Sequence, residues 1–375
     1  MKQTAILLAF VLLLSAPVHA VEAADLGVPE LHADAAVLME QKTGEILYEK
    51  NAHERLSPAS VTKIMTILLI AEQIEAGEMA LTDPVTTSEN AASMGGSQVY
   101  LEPGESMTVD EMLKCIVVAS ANDCAVAMAE HVSGTETAFT ERMNQRAAEL
   151  NMQDTHFVNC TGLTDSDEHY TSAYDIAVMT REVLRYDWLR NYTTLWTDSI
   201  RGGEFGLTNT NKLVRSYPGT IGMKTGFTQK AMYCLSAAAE RDGDCFIAVI
   251  LHAPGSAERF ADAQTLLNSA FANYTVFSPA AVTVLPPVKI TLGTEQSIQP
   301  AFPEPSELVT QKGTELSCRC ELPDVLPAPV SKGDVIGKLQ ILSGEEVIRE
   351  LPITAPETVS KLSLTELWTK MLGAL

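Results

Sequence analysis

Proline divides this chain. Of its 18 prolines, 11 lie at or beyond Pro279. A proline inside a helix removes a hydrogen bond and clashes with the preceding turn. The last part of the chain is therefore expected to be strands and turns. Val335 to Ile341 and Val347 to Ile353 read as two short strands around Ser343-Gly344. A small all-β unit over 279–358 follows.

Upstream, both periodicities occur. Ala35 to Met39 and Glu45 to Tyr48 flank Lys42-Thr43-Gly44 as a hairpin. Helical patterns run over 60–76, 109–118, 122–132, 136–151 and 172–186. Strand-like runs return at 232–239 and 244–252, followed by a helix near 257–273. Strands at both ends with helices between predict an α/β sandwich over 28–276, its sheet assembled from distant segments.

The two termini are distinct. Lys2, the apolar run Ile6 to Leu14 and Val18-His19-Ala20 have the layout of a secretion signal over 1–20, with Ala23 and Ala24 as alternative cleavage positions. The run is short for a membrane span of about 20 residues. At the other end, Leu364, Leu367, Trp368, Met371, Leu372 and Leu375 share one helical face within 360–375. Ser363 and Glu366 form a capping box. Such a helix either packs on its own domain or lies in a membrane interface; its terminal position and Trp368 favour peripheral membrane contact.

The formal charge is −22, and −23 once residues 1–20 and their single lysine are removed. That acidity argues against nucleic acid as a partner. The seven cysteines are scattered, unlike the framework of a small disulfide-stapled domain. No HExxH or paired CxxC occurs, so neither a metal nor a cofactor is implied.

Chemistry enters at Ser60-Val61-Thr62-Lys63, the only Ser-x-x-Lys in the chain. Ser57-Pro58 reads as an N-cap and first helical position, and an apolar run follows from Ile64 to Ile70. Residues three apart share a helical face, so the Ser60 hydroxyl and Lys63 amine would meet. A buried lysine loses its proton more readily and can serve as the base that activates a hydroxyl. Alone the pattern is weak, since about one is expected by chance in a chain this long. Ser120-Ala121-Asn122 and Lys224-Thr225-Gly226 follow in order, the first after an apolar helix and the second before a β-run. SxxK, SxN and KTG in this order are the active-site set of serine acyl-transfer enzymes acting on penicillin and D-alanyl peptides. Ser88-Glu89-Asn90 and Lys42-Thr43-Gly44 are decoys: the first opens a polar loop too close to Ser60, and the second precedes it in a hairpin turn.

The flanks carry a resemblance. Pro58 to Thr66, Gly95-Gly96-Ser97, Ala119 to Asp123, His169 to Asp175, Thr208 to Asn211 and Gly222 to Thr228 resemble the low-molecular-mass penicillin-binding proteins that are serine D-alanyl-D-alanine carboxypeptidases. Ala231-Met232-Tyr233-Cys234 is similar to their sporulation-type branch; Cys160 stands where proline is more common. The resemblance implies a β-lactamase/transpeptidase-like domain: an antiparallel sheet flanked by helices, with a helical subdomain. It implies catalytic Ser60, Lys63 and Ser120, with substrate held by Asn122, Lys224, Thr225, Gly226, Phe227 and Arg259. It implies the peptidoglycan stem peptide as substrate, β-lactams as covalent inhibitors, and a place outside the cytoplasmic membrane. Arg259 is the weakest assignment, the alternative being a solvated helix arginine. A Ser-His-Asp triad through His169 and Asp175 is set aside, because no glycine elbow surrounds Ser60. A secreted β-lactamase shares the three motifs, but class A enzymes add a glutamate that activates the deacylating water, and no Glu-x-x-Leu-Asn follows SxN in this chain. A non-catalytic wall-binding protein would not need the complete polar set.

Overall fold

The computed structural model describes residues 27–372; the expected signal segment lies outside them. The central element is a five-stranded antiparallel sheet. Its strands are β1 (Ala35–Glu40), β2 (Ile46–Lys50), β3 (Thr220–Thr228), β4 (Met232–Arg241) and β5 (Asp244–Ala253), in the spatial order β2-β1-β5-β4-β3. The sheet thus joins the two ends of the N-terminal part, as the split strand patterns require. Both of its faces are covered. Val37 and Met39 point into one apolar cluster while Ala36 and Leu38 point into another. Successive strand residues face opposite sides, so an unbroken apolar run such as Phe246 to Leu251 belongs in a doubly covered strand.

One face carries the helices α1 (Lys63–Glu75), α2 (Val109–Lys114), α3 (Asn122–Ser133), α4 (Glu136–Glu149) and α5 (Ala173–Val183). The other carries α6 (Ser256–Asn273), whose Phe260, Ala263, Leu266, Leu267 and Ala270 pack on the sheet. Every residue of α1 from Lys63 to Ala71 is buried. Its apolar side chains each contribute roughly 1.5–3 kcal/mol by leaving water. That burial also carries the Lys63 amine out of water.

Local starts differ from the sequence expectation in three places. The Ser60 segment begins as a 3-10 turn, Ala59–Thr62, and α-helical geometry starts only at Lys63. Ser57 does not cap it; the buried Ser57 hydroxyl has no hydrogen-bond partner. Ser88 does cap a short helix, Glu89–Ala92, accepting from the Ala91 N–H, instead of opening a loop. The helix expected over 109–118 is α-helical to Lys114, with a Thr108–Glu111 capping box, then widens to a π turn over Cys115–Ala119.

Beyond residue 273 the chain is β-rich. β6 (Tyr274–Phe277) pairs antiparallel with β7 (Leu308–Gln311), which brings Val309 into the cluster beneath α6. β8 (Leu316–Glu321), β9 (Val335–Ser343) and β10 (Glu346–Thr354) form a three-stranded antiparallel sheet over its own apolar cluster, including Leu339, Ile341 and Ile353. The described part of the final helix, α7 (Leu364–Leu372), leaves Leu364 and Trp368 exposed at 78% and 64%. Ser363 and Glu366 make the expected capping box. All seven cysteines are free, five of them buried.

Candidate active site

Three chain segments meet at one edge of the sheet. The Ser60 turn opens α1. Ser120 follows the π turn and precedes α3, with its backbone in the left-handed region at φ 63°. Lys224, Thr225 and Gly226 lie on β3, the edge strand. The approach of β3 to the Ser60 turn depends on Gly226. A Cβ there would lie 2.6 Å from the Pro58 carbonyl oxygen and 3.1 Å from the Ser60 nitrogen.

Lys63 sits at the centre, fully buried. Its Nζ lies 3.1 Å from Ser60 Oγ, 2.6 Å from Asn122 Oδ1 and 2.9 Å from the Thr161 carbonyl oxygen. Burial lowers its pKa from 10.5 to about 7, with the nearby Asp123 carboxylate among the weaker influences that oppose the shift. A neutral amine has two protons and one lone pair. In that form Asn122 and Thr161 can accept the two protons, leaving the lone pair to face the Ser60 hydroxyl. The geometry is that of a base poised on a nucleophile.

The second lysine is wired to the second serine. Lys224 Nζ donates to Ser120 Oγ at 2.7 Å and to the Thr225 carbonyl at 3.0 Å. Burial pushes its pKa well down, assisted by the charges of Lys63 and Arg259. Asn122 is used at both ends of its amide, because Nδ2 donates to the Gly95 carbonyl at 2.8 Å. Gly96 leaves the room for this, since a Cβ there would lie 2.8 Å from Asn122 Nδ2.

Thr225 Oγ1 donates to Thr210 Oγ1 at 2.7 Å. Phe227 is half exposed, its ring 4.4 Å from that of Tyr233. Arg259 is no solvated helix arginine: it is 8% exposed and lies between the Tyr233 and Phe260 rings. Its Nη1 donates to the carbonyls of Gly226 and Cys234 at 2.9 and 3.2 Å, while Nε has no partner. The structure therefore brings Ser60, Lys63, Ser120, Asn122, Lys224, Thr225, Gly226 and Arg259 into one linked set, with Phe227 at its rim.

His169 and Asp175 do not form a triad with Ser60. The His169 ring contacts Thr62 and the Val158 N–H. Asp175 instead accepts from the Asp154 N–H and the Thr155 hydroxyl. Burial lowers the His169 pKa to about 4, so the ring is neutral near pH 7.

Sequence reasoning missed four contributors. The Thr161 and Gly95 carbonyls are backbone groups, which no side-chain motif reveals. Thr210 was legible only as part of Thr208 to Asn211. Asp123, directly after the SxN asparagine, is fully buried; its carboxylate accepts N–H bonds from Val99, Leu101 and Cys124. It ties the loop that supplies Gly95 to the start of α3.

Comparison with known proteins places the chain in a family. The profile of the D-alanyl-D-alanine carboxypeptidase family matches residues 21–255, and that of the penicillin-binding protein 5 C-terminal domain matches 280–361. The chain is 42% identical to a Bacillus subtilis protein named D-alanyl-D-alanine carboxypeptidase DacF, over 91% of this chain and 89% of the relative. Among solved structures it resembles penicillin-binding protein 5 from Haemophilus influenzae, with a TM-score of 0.77 and 28% identity over 89% of this chain and 99% of that one. It also resembles ampicillin-bound penicillin-binding protein D2 from Listeria monocytogenes, with a TM-score of 0.59 and 28% identity over 65% of this chain and 100% of that one.

Proposed function

The chain belongs to the D-alanyl-D-alanine carboxypeptidase family, and on that footing we propose that it removes the terminal D-alanine from peptidoglycan pentapeptide stems through an acyl-enzyme on Ser60. One observation carries the reading: the fully buried Lys63 Nζ lies within hydrogen-bond reach of the Ser60 hydroxyl and is fixed there by Asn122 Oδ1 and the Thr161 carbonyl.

Ser60 Oγ attacks the carbonyl carbon of the penultimate D-alanine and passes its proton to Lys63. The oxyanion is held by the backbone N–H groups of Ser60 and Phe227; donors of this kind are worth about 3–4 kcal/mol each. As the peptide C–N bond breaks, Ser120 delivers a proton to the departing D-alanine and is resupplied from the lysines. Asn122 orients the substrate amide. Thr225 and Arg259 bind the terminal carboxylate, and Lys224 adds positive potential. Arg259 suits this, because a planar guanidinium pairs with a carboxylate through two parallel bonds. Water then attacks the ester, with Lys63 and Ser120 managing its proton, and Ser60 is regenerated. A β-lactam presents a similar carbonyl and acylates the same serine.

The setting follows from the substrate. Residues 1–20 direct export, 28–276 form the catalytic domain, 279–358 the C-terminal β-rich domain, and 360–375 a peripheral contact with the outer face of the cytoplasmic membrane. Among the described residues no helix is long and apolar enough to cross a membrane. The exposed Leu364 and Trp368 of α7 supply the apolar surface for such contact.

The test is release of free D-alanine from a pentapeptide stem. The wild type should release it and Ser60→Ala should not. No release from the wild type would refute the assignment, and rapid turnover of penicillin would point to a β-lactamase.

A further inference from the structure

The Ser60 turn contains an unexpected conformation. Ala59, immediately before the nucleophile, has φ +48°. The left-handed region is disfavoured for a residue with a Cβ and persists only where the surroundings over-determine it. A chain of hydrogen bonds reaches its carbonyl from His169, a buried ring that the chemistry above leaves unused. The Val158 N–H donates to His169 Nδ1 at 3.0 Å, so Nδ1 carries no proton. The other nitrogen, Nε2, must then be the N–H, and it lies 2.8 Å from Thr62 Oγ1. Thr62 accepts there and donates its own proton to the Ala59 carbonyl at 2.8 Å. His169, Thr62 and Ala59 are 1%, 0% and 0% exposed, so no water competes for these bonds. Gly162 closes the arrangement from the other side: a Cβ there would lie 1.9 Å from the Ala59 oxygen.

We propose that His169 is a positioning residue for the nucleophile: through Thr62 it fixes the Ala59 carbonyl, and thereby the left-handed bend that presents the Ser60 hydroxyl to Lys63. The proposal rests on the reading of Ser60 as the acylated serine. It assigns His169 no proton transfer. The neutral ring keeps the relay pointing one way, from Val158 through His169 and Thr62 to Ala59. Removal of either middle member frees the Ala59 peptide to turn, and a displacement of the nucleophile by about 1 Å is enough to cost about 100-fold in rate.

The test uses the full chain and a fluorescent penicillin, separating the dissociation constant of the initial complex from the acylation rate constant. His169→Phe keeps the ring volume without the donor, and Thr62→Val keeps the shape without the hydroxyl. Each is expected to slow acylation about 10–100-fold while leaving the initial dissociation constant unchanged. The double variant is expected to be no slower than the slower single one, because both break the same relay. His169→Gln, which returns an N–H donor, is expected to recover to within about fivefold of the wild type. Thermal melting checks folding; if His169→Phe does not fold, Thr62→Val alone carries the prediction. Acylation of His169→Phe at the wild-type rate, multiplicative effects in the double variant, or no recovery in His169→Gln would overturn the proposal while the functional reading stands. A wild type that is not acylated at Ser60 would overturn the functional reading and this proposal with it.

Discussion

Replacing Lys63 by methionine should make the fold respond differently to pH, and by an amount the structure sets. The Lys63 amine is fully buried, and burial lowers its pKa from 10.5 to about 7. The unfolded chain therefore holds this proton more tightly than the folded one. Below pH 7 the native state carries a penalty of about 5 kcal/mol, at 1.36 kcal/mol for each tenfold change in proton affinity. The penalty shrinks as pH rises from 7 to 10.5 and vanishes above that. Integrated over the window, the wild type gains about 2–3 kcal/mol between pH 6 and pH 9 from this residue alone. Lys63→Met deletes that gain. It also leaves Asn122 Oδ1 and the Thr161 carbonyl without their donor, a pH-independent loss of about 1–3 kcal/mol for each. Lys224 titrates in both proteins; removing the Lys63 charge relaxes it and adds to the difference in the same direction. Urea denaturation at a series of pH values reads the result. The stability of the variant relative to the wild type should fall by about 2–3 kcal/mol between pH 6 and pH 9. A difference independent of pH over this range would refute the claim that Lys63 is a desolvated base.

Three further outcomes are expected. Gly162→Ala puts a Cβ 1.9 Å from the Ala59 oxygen at a φ of +76°, so it should cost about 4 kcal/mol or more; Gly104→Ala, with similar φ but open space around it, should cost about 1–2 kcal/mol. Equal melting shifts for the two would contradict the packing of the Gly162 loop on the nucleophile turn. Arg259→Lys keeps the charge but loses the fork, and should raise KM for the peptide about 10–100-fold with a smaller effect on kcat; an unchanged KM removes Arg259 from carboxylate binding. Deleting residues 362–375 should abolish co-sedimentation with liposomes, and undiminished binding would rule out the terminal helix as the membrane contact.

The elements with strong periodicity were legible in the sequence. The hairpin around Lys42-Thr43-Gly44, the strands over Met232–Arg241 and Asp244–Ala253, and the helix Ser256–Asn273 lie where the apolar patterns put them. The three motifs were legible because each carries its chemistry in side chains at fixed spacing. What escaped was conformational or backbone in origin. The π turn before Ser120 changes the helical register by an insertion that apolar spacing does not mark. The left-handed Ala59 has an ordinary alanine side chain. The Thr161 and Gly95 carbonyls that complete Lys63 and Asn122 belong to loops whose approach is set by Gly162 and Gly96. Proline content marked a change near residue 279, yet β7 returns from beyond it to pair with β6. A pairing over that separation leaves no trace in local composition.

The most direct test of the account is the rate of penicillin acylation as a function of pH, with the adduct mapped to its residue by mass spectrometry. One adduct is expected, on Ser60, forming at a rate that rises with pH through about 7, as the Lys63 amine loses its proton. An adduct on another residue, or a rate flat across that range, would contradict it.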